Sequence, residues 1–377
     1  MRFLSAWRVF RKSVQDYGWR RAGAKAAGRL GWKLPGTGTV SRTNAERTVS
    51  VIGCGQAAYA TLCFFIRQQQ GSVFLDCFDP DPNQAQRLHQ GYDFETVVPT
   101  AELLLQNPKL KTVVIASNHA SHSSYTVRAL TRNLNVFCEK PLATDFAQLA
   151  ALDAAIAGTE ARFHAGYNRP FAPATQVIAG VIRDSRQPIS LHCIVHGHLL
   201  PEDHWYRHPD EGTRICGNMG HWIDLAVYLM TVRGFVPNTI SLTMRSSETA
   251  LPIDDNVVLV MTTDAGDLIS ISLNARHEPF GGVDELISLQ CGSFKAQIDD
   301  FRSLRYSQNQ QERTIRYQYK DVGHAALIAS VFQKPAICRS WDELRLSAAL
   351  TLHAAELART SSEATVHIQT RPLVLGL

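Results

Sequence analysis

From Thr48 onward, short and wholly apolar segments alternate with longer segments of helical periodicity, and this alternation constrains the fold more than any other feature. TVSVIG is followed by QAAYATLCFFIRQQQ, VFLDCFD by PNQAQRLHQ, KTVVIAS by SYTVRALTRN, and NVFCEKP by DFAQLAALDAAIAG. An apolar strand without a polar side is buried on both faces, and strands that alternate with helices form a parallel sheet with right-handed crossovers. After residue 161 the rhythm changes to α+β. Helices are predicted over 173–183, 220–230 and 341–359. Strands are predicted near 189–198, 239–244, 257–262, 268–274, 287–290 and 314–319, with a hairpin turn at Ala265-Gly266. The expected division is an extension over 1–47, an α/β domain over 48–165, and an α+β domain over 166–377 with a large, mostly antiparallel open sheet.

The 377 residues are 45% hydrophobic and 19% charged, which excludes a disordered or low-complexity chain. No stretch approaches the roughly 20 apolar residues of a spanning helix, and the eight cysteines are scattered without a CxxC pair. A soluble, cytoplasmic protein with free thiols is expected. Residues 1–47 hold eleven Lys/Arg against Asp16 and Glu46, a net +9; with +4 overall, the remainder is −5. The body is therefore mildly acidic, and no nucleic-acid partner is expected.

Within the extension, Phe3, Leu4, Trp7, Phe10, Val14 and Tyr17 recur at helical spacing beside Arg2, Arg8, Arg11 and Lys12, a basic amphipathic helix. It lacks the apolar core of a secretory signal, and the residues after Arg20-Arg21 are too polar for twin-arginine export. Its Arg-rich, acid-poor character also fits a mitochondrial transit peptide. Two readings stay open: residues 1–30 lie on an anionic membrane face as a peripheral contact, or they dock on the protein's own body or a partner. Residues 31–42 read as a linker.

Gly53-Cys54-Gly55-Gln56-Ala57-Ala58 gives GxGxxA between a predicted strand and a predicted helix. Gly53 permits the tight turn, Gly55 lets the backbone approach a pyrophosphate with Gln56 and Ala57 beside it, and Ala58 keeps the helix close to the sheet. Asp79 ends the second strand 21 residues after Ala58, where a carboxylate accepts hydrogen bonds from the adenosine ribose. It repels a 2′-phosphate, and Pro80, Asp81 and Pro82 offer no cation, so NAD is expected and NADP disfavoured. The first domain is thus read as a Rossmann dinucleotide-binding domain.

With VIGCGQAA, FDPDP, IASNHASH, EKPLA, GYNRPFAP and GHWIDL in this order, residues 48–360 resemble the glucose-fructose oxidoreductase, inositol dehydrogenase and MocA-like family. HWYRHPDEGTRICGNMGHWIDL is most similar to sugar-modifying members encoded with polysaccharide-biosynthesis enzymes. The resemblance implies that Lys140 assists proton transfer, that Glu139 orients the site, and that His221 is a second acid/base or a ligand of a substrate hydroxyl. It also implies that Ser117, Asn118, His119 and Asn168 border the cofactor and that Arg169 contacts substrate or cofactor, although Arg169 is equally suited to pairing with a carboxylate. Asn118 stands where the family usually has proline. Gly217 stands where many members have Asp or Asn; Asn218 is the nearest replacement, and Gly212-Thr213-Arg214 is shorter than the usual glycine triplet. His122 is read as an anchor of the helix that follows it. His192, His196 and His198, with His204 and His208 nearby, raise a metal site, but strand neighbours two apart diverge and none is expected. His198, Trp205, Tyr206 and Arg214 are read instead as lining a sugar pocket.

These residues imply an NAD-dependent oxidation or reduction of a secondary alcohol on a sugar or nucleotide-linked sugar, with Lys140 and His221 handling the proton. Two alternatives remain: an NAD-dependent glycosidase acting by transient oxidation and elimination, and a non-catalytic NAD-bound sensor. A homo-oligomer paired through the open sheet face is expected.

Overall fold

The computed structural model describes residues 2–30, 46–247, 254–277, 282–333, 338–360 and 365–369. The linker expected over residues 31–42 lies outside them. Two compact units are present: Met1–Ala143 with Ala147–Gly166 and His324–Arg339, and Thr144–Phe146 with Tyr167–Gly323 and Ser340–Leu377.

The first unit opens with a long helix, α1 (Arg2–Leu30), broken at Gly18, whose φ of 77° and ψ of 164° are not helical. Six strands follow: β1 (Val49–Ile52), β2 (Phe74–Phe78), β3 (Thr96–Val97), β4 (Thr112–Ile115), β5 (Asn135–Cys138) and β6 (Phe163–Ala165). All neighbours are parallel, in the order β3-β2-β1-β4-β5-β6. β1 and β4 are buried at every position, as their uninterrupted apolar character requires. Between strands run α2 (Cys63–Gln70), entered through a π-helical turn at Ala58–Leu62, then α3 (Pro82–Tyr92), α4 (Ala101–Leu105), α5 (His119–Leu130) and α6 (Phe146–Ala157). The strand order reverses between β1 and β4. In open α/β sheets that reversal opens a crevice beyond the carboxyl ends of the strands.

Two further segments complete this unit: α1, whose docking on the body is one of the two readings left open above, and a late helix that the sequence pattern missed. α1 packs on residues 58–62 through small buried side chains, Ala22, Ala24 and Ala27, and Gln56 Nε2 donates to the Lys25 carbonyl at 3.1 Å. A Cβ on Gly28 would lie 2.6 Å from Gln56 Oε1 and 3.2 Å from the Tyr59 ring, so α1 approaches closely and a larger residue there would displace the Gln56 side chain. α7 (Pro173–Ile182) and α8 (Gly220–Val232) belong to the second unit, but α9 (His324–Phe332) returns to the first. There Gln69 Nε2 donates to Ala325 O at 2.8 Å, and an Arg21 nitrogen lies 3.3 Å from His324 Nδ1.

The second unit contains α7 (Pro173–Ile182), β7 (Ile189–His198), α8 (Gly220–Val232), β8 (Thr239–Ser246), β9 (Asn256–Thr263), β10 (Leu268–His277), β11 (Asp284–Cys291), β12 (Phe294–Asp299), β13 (Ser303–Gln308), β14 (Gln311–Arg316), α10 (Trp341–Thr360) and β15 (Thr365–Gln369). Its nine strands are ordered β14-β13-β12-β11-β7-β10-β9-β8-β15. β7 and β10 pair in parallel, and the other neighbours are antiparallel. Leu191, Cys193 and Val195 of β7 are buried, whereas His192, Ile194 and His196 between them are exposed. α7, α8 and α10 lie on the covered face. At one end, Arg233 and Asp267 form a fully buried pair with two 2.6 Å bonds, and Asp267 also accepts from Ile189 N at 2.8 Å. One carboxylate thus ties the end of α8 to the start of β7.

His164 on β6 is buried, and burial together with the Arg162 charge pushes its imidazole down to about 4. A folded-state value below the ordinary one means that the unfolded chain binds more protons as pH falls from about 6.5 to about 4, so stability is lost across that window. Thermal unfolding between pH 7 and 4 is expected to show this loss, up to about 3 kcal/mol for this group. His164→Phe should reduce the slope.

Candidate functional site

β1 delivers the chain to Gly53, whose φ is +89°. A Cβ there would lie 2.4 Å from both Ala116 C and Ser117 N in the segment after β4, so the two strand ends meet backbone to backbone. At Gly55 nothing lies within 4 Å of the position of a Cβ, and Gln56 and Ala57 are exposed. Ala58 is completely buried under the helix start. The result is a loop with bare peptide groups at a helix entrance, the form that accepts a pyrophosphate.

Asp79, one residue past β2, is fixed beside this loop. Its Oδ2 accepts from Cys54 N at 2.7 Å and its Oδ1 from Asp81 N at 2.9 Å. Each oxygen keeps a lone pair for a ribose hydroxyl. Asp81 in turn caps α3 by accepting from Asn83 N at 2.9 Å. The local chemistry is anionic, without a cation in Pro80-Asp81-Pro82 to meet a 2′-phosphate.

After β4, Ser117, Asn118 and His119 lead into α5. Ser121 Oγ donates to Asn118 Oδ1 at 2.7 Å and lies 2.7 Å from Ser117 Oγ, which fixes the loop; the His119 side chain is buried. His122 does more than anchor its helix. Its Nδ1 lies 2.8 Å from Pro141 O and its Nε2 3.1 Å from Ser117 O, between the loops after β4 and β5; both oxygens are acceptors, so a singly protonated ring donates to one of them and a doubly protonated ring to both. No spacing signal in IASNHASH marks this bridge.

β5 ends in the loop that presents Lys140. Glu139 N donates to Ile115 O at 2.9 Å and Gly166 N to Cys138 O at 2.7 Å, so the backbone is gripped on both sides. Glu139 Oε2 accepts from Lys140 N at 3.2 Å, and a Cβ on Gly166 would come within 2.7 Å of that oxygen. The Lys140-Pro141 peptide is cis, and Lys140 is half-buried. Residues 53–57, Asp79, 117–119 and 139–140 therefore share one edge of one sheet.

The second unit carries the other expected site residues. Asn168 is fully buried; its Nδ2 donates to Val322 O at 2.6 Å and its Oδ1 accepts from Arg169 at 3.0 Å. Arg169 grips Glu285 through Nε at 3.2 Å and a terminal nitrogen at 2.8 Å, while Trp222 Nε1 donates to Glu285 at 2.8 Å. Both residues are thus held by internal hydrogen bonds, and the ligand contacts expected of them stay a proposal. Arg214 is also turned inward. It is 2% exposed, bonds the His198 carbonyl, and gives its backbone N–H to Asp254 at 2.7 Å. Arg169 thus satisfies a buried carboxylate, whereas Arg214 Nε lies 4.0 Å from Asp255 and its Nε and Nη1 make no hydrogen bond among the described residues.

His221 opens α8 half-buried, with its ring centroid 6.4 Å from that of buried Tyr167. Asn218 lies half-buried in the π-helical turn Ile215–Met219 just before it. His198 is half-buried at the end of β7. Trp205 and Tyr206 form an aromatic step with His204, the Trp205 and Tyr206 centroids 4.4 Å apart and Trp205 46% exposed. His204 Nδ1 accepts from Tyr206 N at 3.2 Å. Burial and the charges of Arg207 and Arg214 lower its basicity, in keeping with an unprotonated Nδ1. His192 lies 2.7 Å from Ser270 Oγ and His196 3.4 Å from Asn274 Nδ2, both on the exposed face of β7.

Residues 47–167 match the family model described as the oxidoreductase family with an NAD-binding Rossmann fold, GFO_IDH_MocA. Over these residues the chain is similar to the NAD-binding domain of that oxidoreductase family. The chain is 30% identical over 149 residues to an inositol 2-dehydrogenase of Pseudomonas fluorescens, covering 38% of this chain and 44% of that protein. It is 23% identical over 236 residues to the inositol 2-dehydrogenase of Ralstonia nicotianae, covering 60% and 66%. The matches thus span less than two thirds of these curated relatives. A levoglucosan dehydrogenase solved with NADH and L-sorbose superposes with a TM-score of 0.72 at 16% identity, over 86% of this chain and 99% of that one. An oxidoreductase domain protein from Kribbella flavida gives 0.68 at 15%, over 87% and 100%. At these identities the two structures share the fold with this chain.

NAD(H) is the dinucleotide of this family's Rossmann domain, and the bare loop at Gly55 and the pinned carboxylate of Asp79 fit it. Gly53→Ala would add a Cβ where 2.4 Å is available, at a φ that L-residues avoid. The variant is expected to lose at least about tenfold in NADH affinity, together with about 1–3 kcal/mol of stability. Fluorescence titration with NADH and thermal unfolding check both.

Proposed function

We propose that the protein is an NAD-dependent dehydrogenase that oxidises, or in reverse forms, a secondary alcohol on a polyol or sugar. The observation that carries this reading is the place of Lys140. It follows β5 on the same sheet edge as the phosphate loop, in a backbone held by Ile115, Gly166 and Glu139. NAD+ bound at Gly55 and Asp79 would supply the hydride acceptor. Lys140 Nζ accepts the hydroxyl proton as the carbinol hydrogen leaves, and Glu139 fixes the strand end from which the lysine extends. His221 is the second group of the proposal: it orients the sugar hydroxyl and shares the proton. Trp205 and Tyr206 offer aromatic faces to the C–H surface of a sugar, and His198 a polar edge. Asn218 completes the substrate set in place of the carboxamide or carboxylate missing at Gly217.

Two finer readings rest on narrower support. The likeness of residues 204–225 to sugar-modifying members favours a nucleotide-linked sugar of polysaccharide biosynthesis. The exposed Ile194, Val258 and Leu268 on the uncovered side of the nine-stranded sheet favour a homo-oligomer, in which a second copy covers that side.

Single-turnover hydride transfer with variants tests the proton assignment. Lys140→Met is expected to slow the step by on the order of 10² to 10⁴ with NADH affinity nearly unchanged, the usual loss for a positioned acid-base group. His221→Ala is expected to slow it less. An unchanged rate in Lys140→Met would remove the lysine from the chemistry and favour an NAD-bound sensor.

A further inference from the structure

α1 carries a surface that its docking leaves outward. Asp16, Ala22, Ala24 and Ala27 are buried, and the Arg21 guanidinium lies over the Tyr17 and Phe65 rings at 4.7 and 4.9 Å. On the other side Trp7 is 59% and Trp19 68% exposed, more than any other large apolar side chain among the described residues. Phe10 stands between them, its ring centroid 6.0 Å from Trp7 and 5.9 Å from Trp19, across the break at Gly18. Arg8, Arg11 and Arg20 are exposed around this cluster. Residues 2–30 hold eight Lys/Arg against Asp16, while the chain after residue 47 is net acidic. The positive field is therefore concentrated on one helix.

Two exposed indoles clustered on a half-buried phenyl ring lose free energy unless something apolar covers them. Indoles rest most favourably at the level of lipid headgroups, and arginines reach from that depth to phosphates while their stems stay in the apolar layer. Both features occur on a helix that its buried face already fixes to the Rossmann unit. We propose that Trp7, Phe10 and Trp19 with Arg8, Arg11 and Arg20 seat the protein on an anionic phospholipid surface. The proposal does not depend on the dehydrogenase reading.

The test is sedimentation of the full chain with phosphatidylcholine vesicles, with and without one third phosphatidylglycerol. Partition onto the anionic vesicles should exceed that onto neutral ones by at least about tenfold and fall with added salt. The double variant Trp7→Ser/Trp19→Ser and the triple variant Arg8→Glu/Arg11→Glu/Arg20→Glu should each lose roughly tenfold or more of that partition, with NADH affinity unchanged as the measure of folding. Equal partition onto both vesicle types, or full retention by both variants, would overturn the proposal. Absence of binding to anionic vesicles would also overturn it and leave the patch as a contact for another polypeptide.

Discussion

The cofactor edge of this protein depends on a side chain that is missing. Only a glycine at position 53 lets the end of β1 touch the backbone after β4, because a Cβ would intrude to 2.4 Å. That contact closes the first crossing at the point where strand order reverses, and it leaves the next peptides, at Gly55 to Ala57, facing outward. Asp79 then holds the loop by accepting the Cys54 N–H. The elements are ordinary, but they are linked in series: without the close approach, neither the bare loop nor the carboxylate beside it keeps its place.

The second unit is organised around buried charge. Glu285 accepts from Arg169 and Trp222, and Asp267 from Arg233. Removing one partner of such a pair strands the other in a poorly solvated interior, at a cost of about 3–5 kcal/mol. These pairs hold the sheet to its helices, and Trp205 stands exposed beside half-buried His204 and Tyr206. Arg169, a ligand contact by residue type, is thereby tied to Glu285.

The α/β half was legible because each layer of the argument uses local sequence. Apolar strands such as 49–52 and 112–115 read directly, and glycine spacing placed the phosphate loop. β7 was legible for the same reason, through its strict alternation. β12 and β13 were missed because FKAQID and SLRYSQ are short and partly polar at a sheet margin. The destination of α9 and the ion pairs of Arg169 and Arg233 depend on partners dozens to more than a hundred residues away, and no local pattern encodes such distances. α1 was readable as an amphipathic helix, but its alanine and glycine face gave no sign of how tightly it would meet Gln56.

The central claim is that the edge formed by Gly53, Asp79, Ser117 and Lys140 brings NAD and an alcohol to one place. The most direct measurement follows deuterium from the carbinol carbon of labelled polyols and sugars into the nicotinamide during a single turnover. The account predicts that one such substrate passes its deuterium to C4 of the nicotinamide, with loss of the label from the carbinol carbon. NAD held by the loop at Gly55, with no deuterium arriving from any polyol or sugar, would contradict it.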